Sequence, residues 1–354
     1  MNTYPPISVV ILAAGKGTRM KSDRAKVLHE VFDKPMLHHV LEAVKPLRPD
    51  QTVVIVGHQE ENVRESLRNY DVEIVRQEEQ LGTGHAVQMT EGVVDDTDAV
   101  VMILCGDTPL ISTSALKDMY TSHAASASDL SVMTTILDNP FGYGRILTVE
   151  GKLKAIVEEK EADERQKKIQ EINAGMYLVG RDFLFEALKS VTPDNSQGEF
   201  YLTDIVEYCV NSGRRASTFL NERSQEVLGV NSRVELEAAD TELQQRRNVE
   251  LMRNGVSICN SASVRVSPGA VIGRDSTLMP NVQIVGNTTI GRFCTIGSGA
   301  ILEDCRVGDQ ATVGAYSVLR NVEIAEKSYL EPMSIRGQKP GDREQKSEEG
   351  GQNI

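Results

Sequence analysis

Short apolar runs recur through the first 230 residues, at Ile7–Leu12, Thr52–Val56, Glu73–Val75, Ala99–Leu104 and Leu130–Thr135. Each has the length and composition of a buried strand. Between them lie stretches with helical spacing of apolar positions, such as Pro35–Val44 and Glu61–Asn69. Strands alternating with helices predict an α/β fold, a Rossmann-like and mostly parallel sheet with helices on both faces. Ligands of such sheets gather beyond the carboxyl ends of the strands. The loops at Gly15 and at Gly106-Asp107, which follow the first and fourth runs, are therefore where chemistry is expected.

The pattern changes after residue 231. Ser232 to Asn254 is charged and helix-prone, and Gly255 is a natural stop. Beyond it an aliphatic residue returns every six positions, at Val266, Ile272, Leu278, Ile284, Ile290, Ile296 and Leu302. The phase slips by one to give Val307, Val313 and Leu319, and again to give Ile324 and Leu330. A period of six fits neither a helix nor a hairpin. It fits a hexapeptide β-helix, in which each short strand turns one aliphatic side chain inward, and these positions make about four triangular coils. The pattern ends in RGQKPGDREQKSEEGGQNI, which has too little apolar content to build a core. The predicted organisation is a catalytic domain over 1–231, a connecting helix over 232–255, a β-helix over 256–335 and a disordered tail over 336–354.

Charge narrows the partners. A net charge of −13 disfavours nucleic acid and anionic membranes. Any anionic substrate then needs a local concentration of cations, which the first loop supplies. The five cysteines are odd in number and widely spaced, without a C-x-x-C pair. That argues against a disulfide framework or zinc site and makes the cytoplasm the default expectation. No run is long enough to span a bilayer.

The first loop reads Leu12-Ala13-Ala14-Gly15-Lys16-Gly17-Thr18-Arg19-Met20, with Lys26 following. Glycines directly after a buried strand let backbone N–H groups approach a polyphosphate. The loop lacks the G-x-x-x-x-G-K-[ST] of a P-loop, and Met20 stands where a dinucleotide loop needs its third glycine. Taken alone it is equally a tight strand-to-helix turn.

The whole segment from Leu12 to His29 resembles the signature of nucleotide-sugar pyrophosphorylases, and is most similar to the uridylyltransferase half of the GlmU-type enzymes. The resemblance continues in family order through Gln77 to Ala86, Gly106-Asp107, Gly142 to Ile146, Ile156 to Glu158, Glu171 to Gly175, Gly198 to Asp204 and Gly229 to Arg233. It implies a GT-A-like nucleotidyltransferase fold followed by a short left-handed parallel β-helix. It further implies that Arg19 and Lys26 clamp a triphosphate and act in catalysis. Ala13, Ala14, Gly15, Gln77, Gly82 and Thr83 would bind the nucleotide, and Gly144, Glu158 and Asn173 the sugar. Asp107 and Asn231 would be the ligands of Mg²⁺, which favours oxygen donors and retains waters. The implied substrates are UTP and N-acetylglucosamine 1-phosphate, with pyrophosphate released. Prisms of this kind associate in threes, so a homotrimer through the β-helix is expected.

Some positions have a plainer reading beside the functional one. Asp107 could cap a turn, Asn231 could form an Asx-turn, Thr203-Asp204 reads as a helix N-cap, and the neighbours of Glu158 in the run Glu158–Glu161 read as solvated. Ala25 stands where the family usually has proline, and Cys105 where similar enzymes tend to have tyrosine, which leaves the sugar preference open between glucosamine, glucose and galactosamine types. In GlmU-type enzymes an acetyltransferase site in a longer β-helix uses a histidine, yet here all six histidines lie at or before His123. No acetyl transfer is expected. The rival from another class is a non-catalytic nucleotide-sugar-binding subunit, against which the presence of Arg19, Lys26, Asp107 and Asn231 argues.

Overall fold

The computed structural model describes residues 6–95 and 99–337. The chain divides into two compact units, Met1–Ala239 and Asp240–Ile354, with the division inside the helix Arg233–Arg253. The predicted tail over 338–354 lies outside the described residues.

In the first unit nine strands build one sheet: β1 (Ile7–Leu12), β2 (Gln51–Val56), β3 (Glu73–Arg76), β4 (Val100–Cys105), β5 (Leu130–Ile136), β6 (Arg145–Val149), β7 (Lys152–Val157), β8 (Glu171–Gly180) and β9 (Ala216–Leu220). The main path runs β9-β5-β8-β4-β1-β2-β3. Strands β4, β1, β2 and β3 are parallel, while β8 runs against both β4 and β5. The central strands are apolar at successive positions because both of their faces are covered. Val9, Ile11, Val54, Val56, Met102 and Leu104 join one core. Their intervening neighbours Val10, Val53, Ile55, Val101 and Ile103 join the other. Period-two alternation thus fills two cores from one strand set.

This topology places the ends of β1, β2, β3 and β4 along one edge. Because β8 is antiparallel, its beginning arrives at that same edge, with Tyr177 already opposite Ile103 of β4. Strand β6 joins there through the pair Ile172 and Arg145, and β7 pairs with β6. The loops expected to carry chemistry therefore share an edge with residues 142–145 and 171–175.

The second unit is a parallel β-helix of the hexapeptide type. Its strands stack into three sheets of five, five and four strands among the described residues. Leu278 pairs with Ile296 and Ile296 with Val313, eighteen and seventeen residues on. Each slip in the sequence phase is thus one corner shortened by a residue. Of the repeat positions all but Ile272 are buried. Small side chains fill the corners behind them, including Ala270, Cys294, Ala300, Cys305 and Ala311. The corners also need left-handed backbone, which Asn281, Phe293, Asp304, Tyr316 and Met333 adopt without being glycine. Two flanking strands escaped the six-residue pattern, Ser257–Ile258 and Ile335–Arg336, because neither continues its phase. The helix Arg233–Arg253 closes at Gly255, whose φ of +91° suits a C-terminal stop. Within the second unit buried Asn248 donates to the Ser261 and Val264 carbonyls at 2.8 and 2.7 Å.

Candidate active site

Two one-turn segments follow the end of β1, Thr18–Met20 and Lys26–Leu28, anchored by buried Met20, Val27 and Leu28. Gly17 lies between them and β1 at a φ of +63°, and a Cβ there would sit 2.6 Å from the Lys26 Cβ. Only glycine lets the loop fold this tightly over Lys26. The Lys26 ammonium pairs with the Asp107 carboxylate just beyond β4. It also donates to Asn231 Oδ1 at 2.6 Å, and Arg19 Nη2 donates to the same oxygen at 2.8 Å. The segments carrying Asp107 and Asn231 are themselves joined, since the Val230 N–H donates to the Asp107 carbonyl at 2.8 Å.

The Asn231 side chain is oriented by its amide nitrogen, which donates to the Gly229 carbonyl at 3.0 Å, so its oxygen faces the cations. Two hard oxygens, from Asp107 and Asn231, therefore converge on one positive nitrogen. The ammonium is a stand-in for a cation, and the donor set fits a small divalent ion such as Mg²⁺. Among the described residues no group of three or more His, Cys, Asp or Glu side chains could hold a metal. A divalent ion here would complete its shell from water and substrate oxygens.

A second group surrounds Gln77, directly after β3. Its buried amide donates to the Gly82 carbonyl at 3.1 Å and lies 3.1 Å from His85 Nδ1. Thr83 opens the helix Thr83–Gln88, and its hydroxyl accepts from the Leu202 N–H at 3.1 Å. Ala13 donates to the Ile55 carbonyl at 2.9 Å, while the Ala14 carbonyl accepts from the Gln80 amide at 3.0 Å. Gly15 has nothing within 4 Å of a built Cβ, so its backbone is open to a ligand.

A third group forms where β6, β7 and β8 meet. The Asn173 N–H donates to the Gly144 carbonyl at 2.9 Å. A Cβ on Gly144 would stand 3.6 Å from both Glu158 Oε1 and the Asn173 Cβ, and 2.9 Å from Ile156. The missing side chain is what brings these residues together. The Asn173 amide is fixed at both ends, donating to the Tyr177 hydroxyl at 2.7 Å and accepting from the Gly175 N–H at 2.9 Å. Cys105 donates to the Gly175 carbonyl at 3.4 Å, which links this group to the end of β4 and Asp107.

Two family matches coincide with the two units: the MobA-like NTP transferase domain over residues 9–195, and the bacterial transferase hexapeptide (six repeats) over residues 269–304. The bifunctional protein GlmU of Desulfotalea psychrophila is 49% identical over 326 residues, covering 92% of this chain and 96% of that protein. The chain belongs to the GlmU family. GlmU of Exiguobacterium sibiricum is 43% identical over 326 residues, covering 92% of this chain and 72% of that protein. A solved UDP-glucose pyrophosphorylase complexed with UDP-glucose superposes with a TM-score of 0.55 at 20% identity, covering 68% of this chain and all of that one. That likeness speaks for the fold alone. The NTP transferase match and the GlmU relatives make this GlmU-family chain a nucleotidyltransferase. Among the described residues no helix is long and apolar enough to cross a membrane.

The GlmU-family site also contains residues whose part the sequence did not reveal. Thr203 does precede the helix Asp204–Asn211, but its hydroxyl makes no cap and instead donates to Glu158 Oε1 at 3.2 Å. Thr203 thus holds the expected N-cap position, but its side chain serves the third group and not the helix end. Glu159, expected to be solvated, accepts from the Gly142 N–H at 3.0 Å and from Arg145 Nη2 at 2.6 Å. Tyr143 lies within electrostatic reach of Glu235, Asp107 and Arg19; burial first, and then the two acids, push its phenol up.

The electrostatics divide the site in two. Around Lys26 and Arg19 two cations meet the Asp107 carboxylate, with Glu235 on the Asn231 N–H at 2.5 Å. Around Glu158 the charge is negative. Burial raises the Glu158 carboxyl and Glu199 adds to it, against the Thr203 hydrogen bond. Asp204 is pushed up to about 6, by burial and then by Glu158 and Glu207. Burial pushes the Cys105 thiol up to about 12, so it is neutral at physiological pH and serves as a small apolar filler.

Proposed function

We propose that this chain is a UDP-N-acetylglucosamine pyrophosphorylase, which joins UTP to N-acetylglucosamine 1-phosphate and releases pyrophosphate with Mg²⁺. The observation that carries this reading is the convergence of Arg19 and Lys26 on the oxygens of Asp107 and Asn231. A phosphate oxygen of the sugar phosphate attacks the α-phosphorus of UTP in line, and pyrophosphate leaves from the opposite side. That oxygen is already anionic at neutral pH, so alignment and charge neutralisation suffice without a general base. Lys26 exchanges Asp107 and Asn231 for phosphate oxygens. With Arg19 it then opposes the charge that builds on the transferred phosphoryl group and on the leaving pyrophosphate. Asp107 and Asn231 would hold a divalent ion, which when bound would supply further neutralisation of phosphate charge. Gln77, with the Gly82 backbone, matches the donor and acceptor edge of uracil, and Ala13, Ala14 and Gly15 line the nucleotide with Thr83. Gly144, Glu158 and Asn173 take the sugar, with Glu158 accepting from its hydroxyls.

The β-helix serves assembly. Its coils carry no histidine, so they offer no base of that kind for acetyl transfer. Tyr316, Met333 and Ile335 are 64, 73 and 82% exposed, more apolar surface than a solvated corner favours, and they support association into a homotrimer.

The test is pyrophosphate release from UTP or dTTP with a panel of sugar 1-phosphates, with and without Mg²⁺. The expected result is Mg²⁺-dependent release, fastest with UTP and N-acetylglucosamine 1-phosphate. Preference for glucose or galactosamine 1-phosphate would reassign the sugar, and no release from any pair would favour a binding subunit.

A further inference from the structure

The run Glu158-Glu159-Lys160-Glu161 has the composition of a solvated face, yet each of its side chains has a partner. Glu158 turns toward Gly144 and accepts from Thr203. Glu159 reaches the same segment, accepting from the Gly142 N–H at 3.0 Å and from Arg145 at 2.6 Å. Glu161 accepts from the Ser196 N–H at 2.9 Å and from its hydroxyl, while Lys160 donates to Gln197 at 2.5 Å. One four-residue segment thereby ties residues 142–145 on one side and 196–197 on the other.

The tie to residues 142–145 is the stronger of the two. Only 2% of the Arg145 side chain is exposed, and its other terminal nitrogen donates to the Tyr143 carbonyl. A guanidinium cannot shed its proton. Without Glu159 it is a buried charge lacking its counter-ion, and the segment that carries it must move. Burial alone would raise the Glu159 carboxyl. The Gly142 N–H and the Arg145 guanidinium outweigh it and hold the group below the usual range, so it stays ionised at working pH. Gly142 sits at a φ of +88°, so the left-handed start of this loop depends on the Glu159 contact, while its end is held by the Asn173 N–H on the Gly144 carbonyl at 2.9 Å. Among the described residues the side-chain bonds of Arg145 and Glu159 fall within residues 142–167, away from Gln77, Gly82 and Thr83.

We propose that Glu159 and Arg145 are positioning residues for the sugar 1-phosphate. They fix the Gly144 backbone against the Glu158 carboxylate and leave the nucleotide side untouched. This rests on Gly144, Glu158 and Asn173 being the sugar pocket.

The experiment compares wild type, Glu159→Ala and Glu159→Gln by steady-state kinetics, with both substrates varied and UTP binding titrated directly. Misplacement of a contact by about 1 Å is enough for large losses, so Glu159→Ala should raise the KM for N-acetylglucosamine 1-phosphate about tenfold or more. The KM for UTP and its binding should stay within about twofold of wild type, which also shows that the variant is folded at its nucleotide side. Glu159→Gln keeps an oxygen for the Gly142 N–H and Arg145 but not the charge, and should recover part of the loss, falling between wild type and Glu159→Ala. Equal rises in both KM values, or a fall in kcat with both unchanged, would overturn the proposal. Absence of turnover in wild type with every sugar 1-phosphate would instead show in the control alone that the functional reading has failed, and the positioning role with it.

Discussion

The two units organise their contacts on opposite plans. In the first, the groups that define the candidate site are far apart in sequence. Lys26 meets Asp107 and Asn231 across 81 and 205 residues, and Arg19 meets Asn231 across 212. In the β-helix a strand such as Thr295–Ile296 pairs only with the strands one coil before and one coil after. A stack of like coils gives every inward position nearly the same surroundings, which suits it to stability and assembly. A reactive centre needs the reverse, a place where unlike groups meet once. Losing one polar group should therefore stop the first unit without unfolding it. Losing one apolar group should unfold the second without stopping the first.

The largest expected effect is at Asp107. Asp107→Ala removes the one carboxylate among the oxygens that converge on Lys26, and with it the charge that would hold a divalent ion on the proposed reading. A fall in turnover of about 10³-fold or more is expected, equivalent to roughly 4 kcal/mol of transition-state stabilisation. Pyrophosphate release measures it, and calorimetry should show both units still folded. A loss below about tenfold would remove Asp107 from the chemistry and break the contrast on its functional side.

A smaller effect, on the other side of the contrast, is expected from Ile296→Ala. Ile296 is fully buried between Leu278 and Val313 of the adjoining coils. Truncating it leaves a cavity in a narrow prism whose backbone cannot collapse, at a cost of about 2–5 kcal/mol. The β-helix should melt at lower temperature while pyrophosphate release below that temperature is unchanged. Loss of turnover by a variant that is still folded would show that the units do not divide labour in this way.

The same contrast explains what could be read in the sequence. The central strands were legible because an apolar run covered on both faces leaves a signal that depends on no distant partner. The β-helix was legible because its period is its structure. Its first and last described strands, at Ile258 and Ile335, were missed because the phase is not kept there. Thr203 was read as a cap because its hydroxyl partner, Glu158, lies 45 residues away and only the fold of β7 brings it near. Glu159 was read as solvated because composition records that a residue is charged, and not that a buried guanidinium waits 14 residues upstream. Gly17 and Gly144 announced turns. That one permits the fold over Lys26 and the other the approach of Glu158 to Asn173 required coordinates.

The smallest expected effect sharpens the contrast through pH. Asp204, behind Glu158, titrates at about 6 instead of 3.8 because burial and then Glu158 and Glu207 disfavour its charge. Between those values the folded chain binds more protons than the unfolded chain, so this group's effect on stability grows less favourable as pH rises. Its cost is absent below the unfolded value and complete above about 6. Asp309, on the β-helix, behaves oppositely: the Arg292 N–H and guanidinium hold its carboxyl below the usual range, so its contribution is present at neutral pH and lost on acidification. Asp204→Asn removes a cost that exists only at neutral pH. Relative to wild type, the variant should gain about 1 kcal/mol between pH 4 and pH 7.5 once the partial exposure of Asp204 is discounted. Urea unfolding of the first-unit transition at the two pH values measures the difference. A gap that does not change with pH would mean that Asp204 ionises as it would in water, and that Glu158 lacks the close acidic neighbour that makes this corner of the site negative.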